Sequence, residues 1–345
     1  MRADWRNSIW FLLLGLITAL LFMANLGFGS VVLPWSSVLK ALFHLSSADG
    51  SAYVIVNDYR LPQAVTALST GILLSMSGLV LQTLFRNPLA GPSVLGISSG
   101  ASLGVALVLL SGSIWGTHLL ALPVVGNITV VLAALAGALL VLAIILFVSA
   151  RVANVITVLI IGIMLGYTVS AVVSVLQFFS GSEDLHAYVL WGLGSFSKTS
   201  LSQALLLLFT AIGGTFFLSL YVKPMNALLL GEQYARSLGF HPLRIQRVLI
   251  FITGVLVAVG TAFTGPIAFI GLAVPHLARG LFKTSQQGIL LPATLLTGAV
   301  LALFCNLVAK LPGYDISLPI NAVTSLVGAP VIIWVIMKSR HIKNV

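Results

Sequence analysis

The chain is 345 residues long, 59% apolar and only 7% charged, where an ordinary soluble domain carries about 25% charged residues. Seventeen Lys and Arg with seven Asp and Glu are too few to clothe a 36.3 kDa globule of mean hydropathy +1.12, so a water-soluble fold is excluded and lipid is the main solvent. The formal charge of +10 is read by position, because basic residues collect at the cytoplasmic ends of spans, and it implies no nucleic-acid partner.

Residues 9–28 form the first apolar run. Arg2 and Arg6 ahead of it imitate a secretory signal, but the run is too long for a typical signal core and Phe22-Met23-Ala24-Asn25 offers no small-x-small cleavage site, so it reads as a retained span. Runs close to the length a bilayer demands, roughly 17–25 residues, follow at 61–84, 94–110, 123–147, 155–179, 201–222, 248–263, 289–307 and 318–337. The segment 267–278 is too short to cross a hydrocarbon layer of about 30 Å by itself, so it is either re-entrant or a short helix shielded by protein.

Charge decides how that segment is counted. With ten crossings and the N-terminus inside, 13 of the 17 Lys and Arg fall on the cytoplasmic side, leaving Lys40, Arg60, Lys198 and Lys310 outside. With nine crossings the split is 9 to 8. The positive-inside rule selects ten. The expected fold is an all-α polytopic membrane protein of ten transmembrane helices, one domain over 1–345, both termini cytoplasmic. The longest loops, 29–60 outside and 223–247 inside, are too short for a soluble domain, so an energy source is expected on other chains.

The interior is chemically plain. All seven acids fall at or beyond span ends, so the midplane carboxylate on which proton- or sodium-coupled carriers rely is missing. No G-x-x-x-x-G-K-[ST] occurs, so the chain does not cradle ATP phosphates by that route. Neither an enzyme nor a resident cofactor or metal is implied. The lone Cys305 in an apolar run reads as a small buried hydrophobe. His44, His118, His186 and His276 are scattered, and Tyr53, Tyr59, Trp115, Tyr188, Trp191 and Tyr314 suit an interfacial belt. Gly96, Gly100 and Gly104, and again Gly162 and Gly166, recur one helical turn apart, a spacing that lets helix backbones approach closely.

Residues 223–247 read KPMNALLLGEQYARSLGFHPLRIQR. Gly239 suits a left-handed helix stop, Phe240 is the apolar residue that often follows, and His241-Pro242 opens the next helix. Two short helices, 228–238 and 241–247, are expected, forming a hairpin on the cytoplasmic side. Its mixture of leucines with Arg236, Arg244 and Arg247 fits a docking surface for another protein, or an amphipathic connector whose arginines meet lipid phosphate.

Arg60-Leu61-Pro62, Arg86-Asn87-Pro88-Leu89-Ala90-Gly91-Pro92, Pro224-Met225-Asn226 with Leu230-Gly231-Glu232, Gly265-Pro266-Ile267-Ala268 with Pro275-His276, and Leu318-Pro319 with Gly328-Ala329-Pro330 form a set of runs. Together they resemble the permease subunits of the iron-siderophore, haem and vitamin B12 ABC importers. The likeness covers nearly the whole chain. It implies an inner-membrane permease that carries an iron chelate or cobalamin inward. It also implies a second copy of the chain, two cytoplasmic ATP-binding subunits and a periplasmic binding protein as partners, with membrane lipid around them. By the same resemblance, Glu232, Arg236, Leu238, Gly239 and His241 couple to the ATPase, Arg60 and Lys310 seat the binding protein, and Asn87, Pro88 and Leu89 form a cytoplasmic gate. Asn-Pro is also a common turn initiator. The chain departs from the family where members carry a second arginine, here Gln63, and an Ala-Asp and Ala-Arg pair, here Cys305-Asn306 and Ala309-Lys310; residues 312–315 are a small insertion. The competing class is a passive channel without ATP coupling.

Overall fold

In lipid every backbone N–H and C=O has to find its partner within the protein, which is why long apolar runs become helices. A computed structural model describes residues 2–43, 50–110, 123–152, 154–311 and 317–342; His44, Trp115, His118, Tyr314 and the insertion 312–315 lie outside the described residues. Among the described residues the regular elements are helical: α1 (Arg2–Gly27), α2 (Trp35–Leu42), α3 (Gly50–Leu84), α4 (Ile97–Leu109), α5 (Pro123–Arg151), α6 (Val155–Phe179), α7 (Ser182–Gly192), α8 (Leu201–Leu220), α9 (Val222–Leu230), α10 (Glu232–Ser237), α11 (Pro242–Thr264), α12 (Ile270–Phe282), α13 (Gln287–Ala309) and α14 (Ile320–Ile342). Seven of them, α1, α3, α5, α6, α8, α11 and α13, are long and apolar enough to span, and α4, α12 and the stretch Ile320–Ile333 of α14 are shorter apolar helices. These are the ten spans of an all-α polytopic membrane protein.

The ends differ from the apolar runs for one reason: hydropathy marks the lipid-facing stretch, whereas a helix continues as long as its backbone bonds do. Thus α3 begins at Gly50, passing through a wide π-helical turn at Ile55–Arg60, and α11 begins at Pro242. The run 201–222 breaks at Tyr221 into α8 and α9, and 94–110 opens as a 3-10 turn, Pro92–Leu95, before α4. The expected pair of short helices at 228–238 and 241–247 is corrected in the same way. α9 ends at Leu230, Gly231 breaks the chain at φ 128, α10 is short, and the second arm is the first two turns of the spanning helix α11.

The chain forms two compact units, Met1–Leu79 with Ser195–Gly213 and Ala268–Val345, and Val80–Gly194 with Gly214–Ile267. In the first, α13 packs against α1, α12 and α14. The long helix α3, almost wholly buried, touches α12 at backbone distance: a Cβ on Gly78 would lie 1.7 Å from the Gly271 carbonyl oxygen. The short segment is resolved as α12, a helix with Ile270, Ala273, Val274, Ala278 and Phe282 buried, shielded by protein as its length requires.

In the second unit the most extensive packing joins α4 to α5, and α11 also lies against α5. The small-residue spacing is used here. A Cβ on Gly104 would fall 1.9 Å from the Ala133 carbonyl oxygen and one on Gly100 2.5 Å from that of Gly137. Asn154 caps α6, its side-chain oxygen accepting from the Ile156 N–H at 2.9 Å.

Candidate functional site

Two groups of the expected residues come together, one in each unit. In the second unit, α3 ends in a Schellman turn: the Arg86 N–H donates to the Thr83 carbonyl at 3.3 Å and the Asn87 N–H to that of Gln82 at 3.2 Å. The residue at the left-handed position of that motif is Arg86, with φ 46, where an L-residue costs about 1–2 kcal/mol. Asn87 then closes a tight turn, its Oδ1 accepting from the Leu89 N–H at 2.9 Å and its carbonyl from the Ala90 N–H at 3.1 Å. Asn87, Pro88 and Leu89 therefore form a stiff projection whose tip, Leu89, is 50% exposed.

The hairpin lies in the same unit. α9 buries Met225, Ala227 and Leu228 and leaves Leu230 exposed. α10 carries Glu232, whose Oε1 accepts from Gln246 Nε2 at 3.1 Å, fastening α10 to the start of α11. The Glu232–Arg236 pair, 4.0 Å apart and partly exposed, adds only about 0.2–0.5 kcal/mol. α10 ends in a second Schellman turn: the Gly239 N–H donates to the Arg236 carbonyl at 2.9 Å and the Phe240 N–H to that of Ala235 at 3.0 Å, with Gly239 at φ 82. His241 is the N-cap residue of α11 and Pro242 its first residue, free of a donor that would go unused.

Around this stop is an open cavity of about 530 Å3 lined by Arg236, Phe240, His241, Arg244 and Arg247 among others. Arg247 is partly occupied, donating to the Ser149 and Ala150 carbonyls at 3.3 and 3.2 Å at the end of α5, where a cation meets the negative end of the helix dipole. With Tyr234, Leu230 and Leu238 exposed beside it, the surface is apolar and cationic together, which suits a protein partner with an acidic rim.

Arg60 and Lys310 occupy the first unit, and their side chains point inward. Arg60 is 5% exposed; its guanidinium donates to the carbonyls of Leu26 at 2.9 Å, Gly27 at 2.7 Å and Val31. Lys310 Nζ donates to the Asn25 carbonyl at 2.8 Å. Both cations thus satisfy the orphan carbonyls ending α1. Burial, and after it the Arg60 charge, lowers the Lys310 amine to about 7. Three polar contacts join here. Gln63 Nε2 donates to Asn306 Oδ1 at 3.0 Å, Asn306 Nδ2 donates to Asn25 Oδ1 at 2.7 Å, and Lys310 holds the Asn25 backbone. Gln63 and Asn306 thus form a neutral amide pair beside the two cations.

Sequence reasoning missed two residues of these groups. Arg86 counts in the sequence as a cytoplasmic cation and as the first residue of a family-like run, with no role assigned to it, yet its Nη2 donates to the Leu228 carbonyl of α9 at 2.9 Å. Gln246, the anchor of Glu232, carries no sequence signal beyond its buried place on α11.

Residues 17–338 match the model of the FecCD transport family. The chain is similar to the vitamin B12 import system permease protein of Salmonella typhi, 36% identical over 339 residues and covering 97% of each chain. It is similar also to that of Citrobacter koseri, 37% identical over 297 residues and 86% of each. Among solved structures it resembles a metal-chelate type ABC transporter in an inward-facing conformation, with a TM-score of 0.82, 29% identity, and 95% of this chain and 98% of that one covered. PsaBC from Streptococcus pneumoniae, at TM-score 0.53 and 15% identity over 86% of this chain and 95% of that one, shares the fold alone.

Proposed function

Because the chain belongs to the FecCD transport family, and so is the permease of an ABC importer, we propose that it carries a large metal chelate inward across the cytoplasmic membrane, driven by ATP-binding subunits that dock on residues 223–247. The observation that carries this reading is the hairpin. An apolar and cationic surface, stiffened by the Gly239 stop and the Gln246–Glu232 bond, stands in a chain with no phosphate loop of its own. Glu232, Arg236, Leu238, Gly239 and His241 present that surface to the ATPase, and Asn87, Pro88 and Leu89 form the gate turn. The working unit holds two copies of the chain, each with both termini in the cytoplasm, and the ATP is hydrolysed by the partner subunits. Arg60 and Lys310 serve the periplasmic binding protein indirectly, by holding the last turn of α1 and the loop after it; their bonds to the α1 carbonyls support this.

Cobalamin, named in the relatives, is the first probe of cargo, with ferric siderophores and haem as the other members of the class. The test is uptake into proteoliposomes holding the permease, its ATPase subunit and its binding protein. Accumulation that requires hydrolysable ATP is expected. Transport driven by a proton or sodium gradient alone, or solute flux without ATP, would place the chain among carriers or passive channels and overturn the reading.

A further inference from the structure

The two Schellman turns of the second unit form an internal control. Each has the same pair of backbone bonds, and each puts one residue at positive φ. Below α10 that residue is Gly239, the type the motif favours because it has no Cβ to strain. Below α3 it is Arg86 at φ 46. Strain kept at one of two equivalent turns points to a use for the side chain.

Its use is visible. Arg86 Nη2 donates to the Leu228 carbonyl at 2.9 Å, which also accepts from the Gly231 N–H at 3.2 Å. That carbonyl belongs to the last turn of α9, where backbone oxygens lack helical donors and the dipole is negative. Leu228 is 3% exposed, so the carbonyl is held by a packed helix. On the other side of Arg86 the chain enters the turn 87–90 at once, with the Asn87 bonds and Pro88 leaving little slack.

We infer that Arg86 is a positioning residue, the tie that makes the turn 87–90 follow α9 when the hairpin is moved. The inference rests on the proposed function, which assigns the hairpin to the ATPase and the turn to the gate. Its content is the link itself: one arginine, donating to one carbonyl, joins the two without an intervening flexible segment.

Arg86→Gly tests it, because glycine relieves the left-handed strain and keeps the backbone bonds of the turn while removing the side chain and, with it, the guanidinium that bonds Leu228. In the complex with its ATPase and binding protein, the variant is expected to assemble, to melt no lower than the wild type, and to accumulate at least tenfold less cobalamin per ATP hydrolysed. Arg86→Lys, which keeps a cationic donor, is expected to stay within about threefold of wild type. Hydrogen exchange supplies a readout independent of cargo. On adding ATP, segments 222–231 and 87–91 of the wild type are expected to change together, and in Arg86→Gly only 222–231. Matched change of both segments in the variant, transport per ATP within twofold of wild type, or a lower melting point or failed assembly would each overturn the tie. A wild-type complex that takes up solute without ATP would instead sink the proposed function, and it is recognised without the variant.

Discussion

Gly239→Val is the sharpest probe of the hairpin because the site separates conformation from crowding. No heavy atom lies within 4 Å of a Cβ built on Gly239, so a larger residue meets open space and the cost is confined to its φ of 82. For an L-residue that cost is about 1–2 kcal/mol, with β-branching at the upper end. The turn is held chiefly by two backbone bonds, to the Arg236 and Ala235 carbonyls, each worth about 0.5–1.5 kcal/mol net. Strain and bonding are therefore of similar size, and valine shifts the ratio of closed to open turn by a factor of about 5–30. When the turn opens, α10 loses its fixed aim relative to α11 while both units stay packed. The assay is uptake with substrate-stimulated ATP hydrolysis in the assembled complex, alongside melting of the permease alone. Gly239→Val is expected to insert and melt within a few degrees of wild type yet lose most coupled transport, Gly239→Ala to lie between, and Gly239→Asn, tolerant of positive φ, to retain most of it. Full transport by the valine variant would refute the reasoning and leave the hairpin a connector.

Gly104→Ala drives a methyl group to 1.9 Å from the backbone oxygen of Ala133 and is expected to cost about 1–3 kcal/mol by overpacking, whereas Gly213→Ala meets nothing within 4 Å and should be neutral; equal melting points for the two would contradict the close α4–α5 contact. Lys310 has its amine at about 7 in the fold against about 10.4 when unfolded, so the unfolded chain binds the extra proton between these values and stability rises with pH across that window. The gain is complete above about 10.4 and lost as pH falls through about 7, so the melting point should climb from pH 7 to pH 10 more steeply in wild type than in Lys310→Met, and parallel slopes would refute it. For topology, with the buried Cys305 as a quiet background, a cysteine at Lys40 should react with an impermeant maleimide on intact spheroplasts and one at Ser237 should not; the reverse pattern would invert the orientation.

The glycine stop at 239 and the proline start at 242, the spacing of Gly100 and Gly104, and the ten apolar runs were legible because each depends on neighbours within a turn or two, or on the summed hydropathy of one segment. The absence of a phosphate loop was legible for the same reason. The Arg60 and Lys310 side chains illustrate the other class. Their charge and their place at span ends are sequence properties, but their direction is not, and only the packed end of α1 shows that both turn inward onto the carbonyls of residues 25–27. The amide chain from Gln63 through Asn306 to Asn25, and the bond from Arg86 to Leu228, join residues far apart in the chain, with no periodicity to announce them. For the Arg60, Lys310 and Arg86 bonds the physical reason is the same: in a membrane helix nearly every backbone carbonyl is already bonded within its own turn, and the few left over at helix ends are matched to whichever donor the tertiary packing brings there; the amide chain instead matches side chain to side chain, a pairing that exists only once packing brings residues 25, 63 and 306 together.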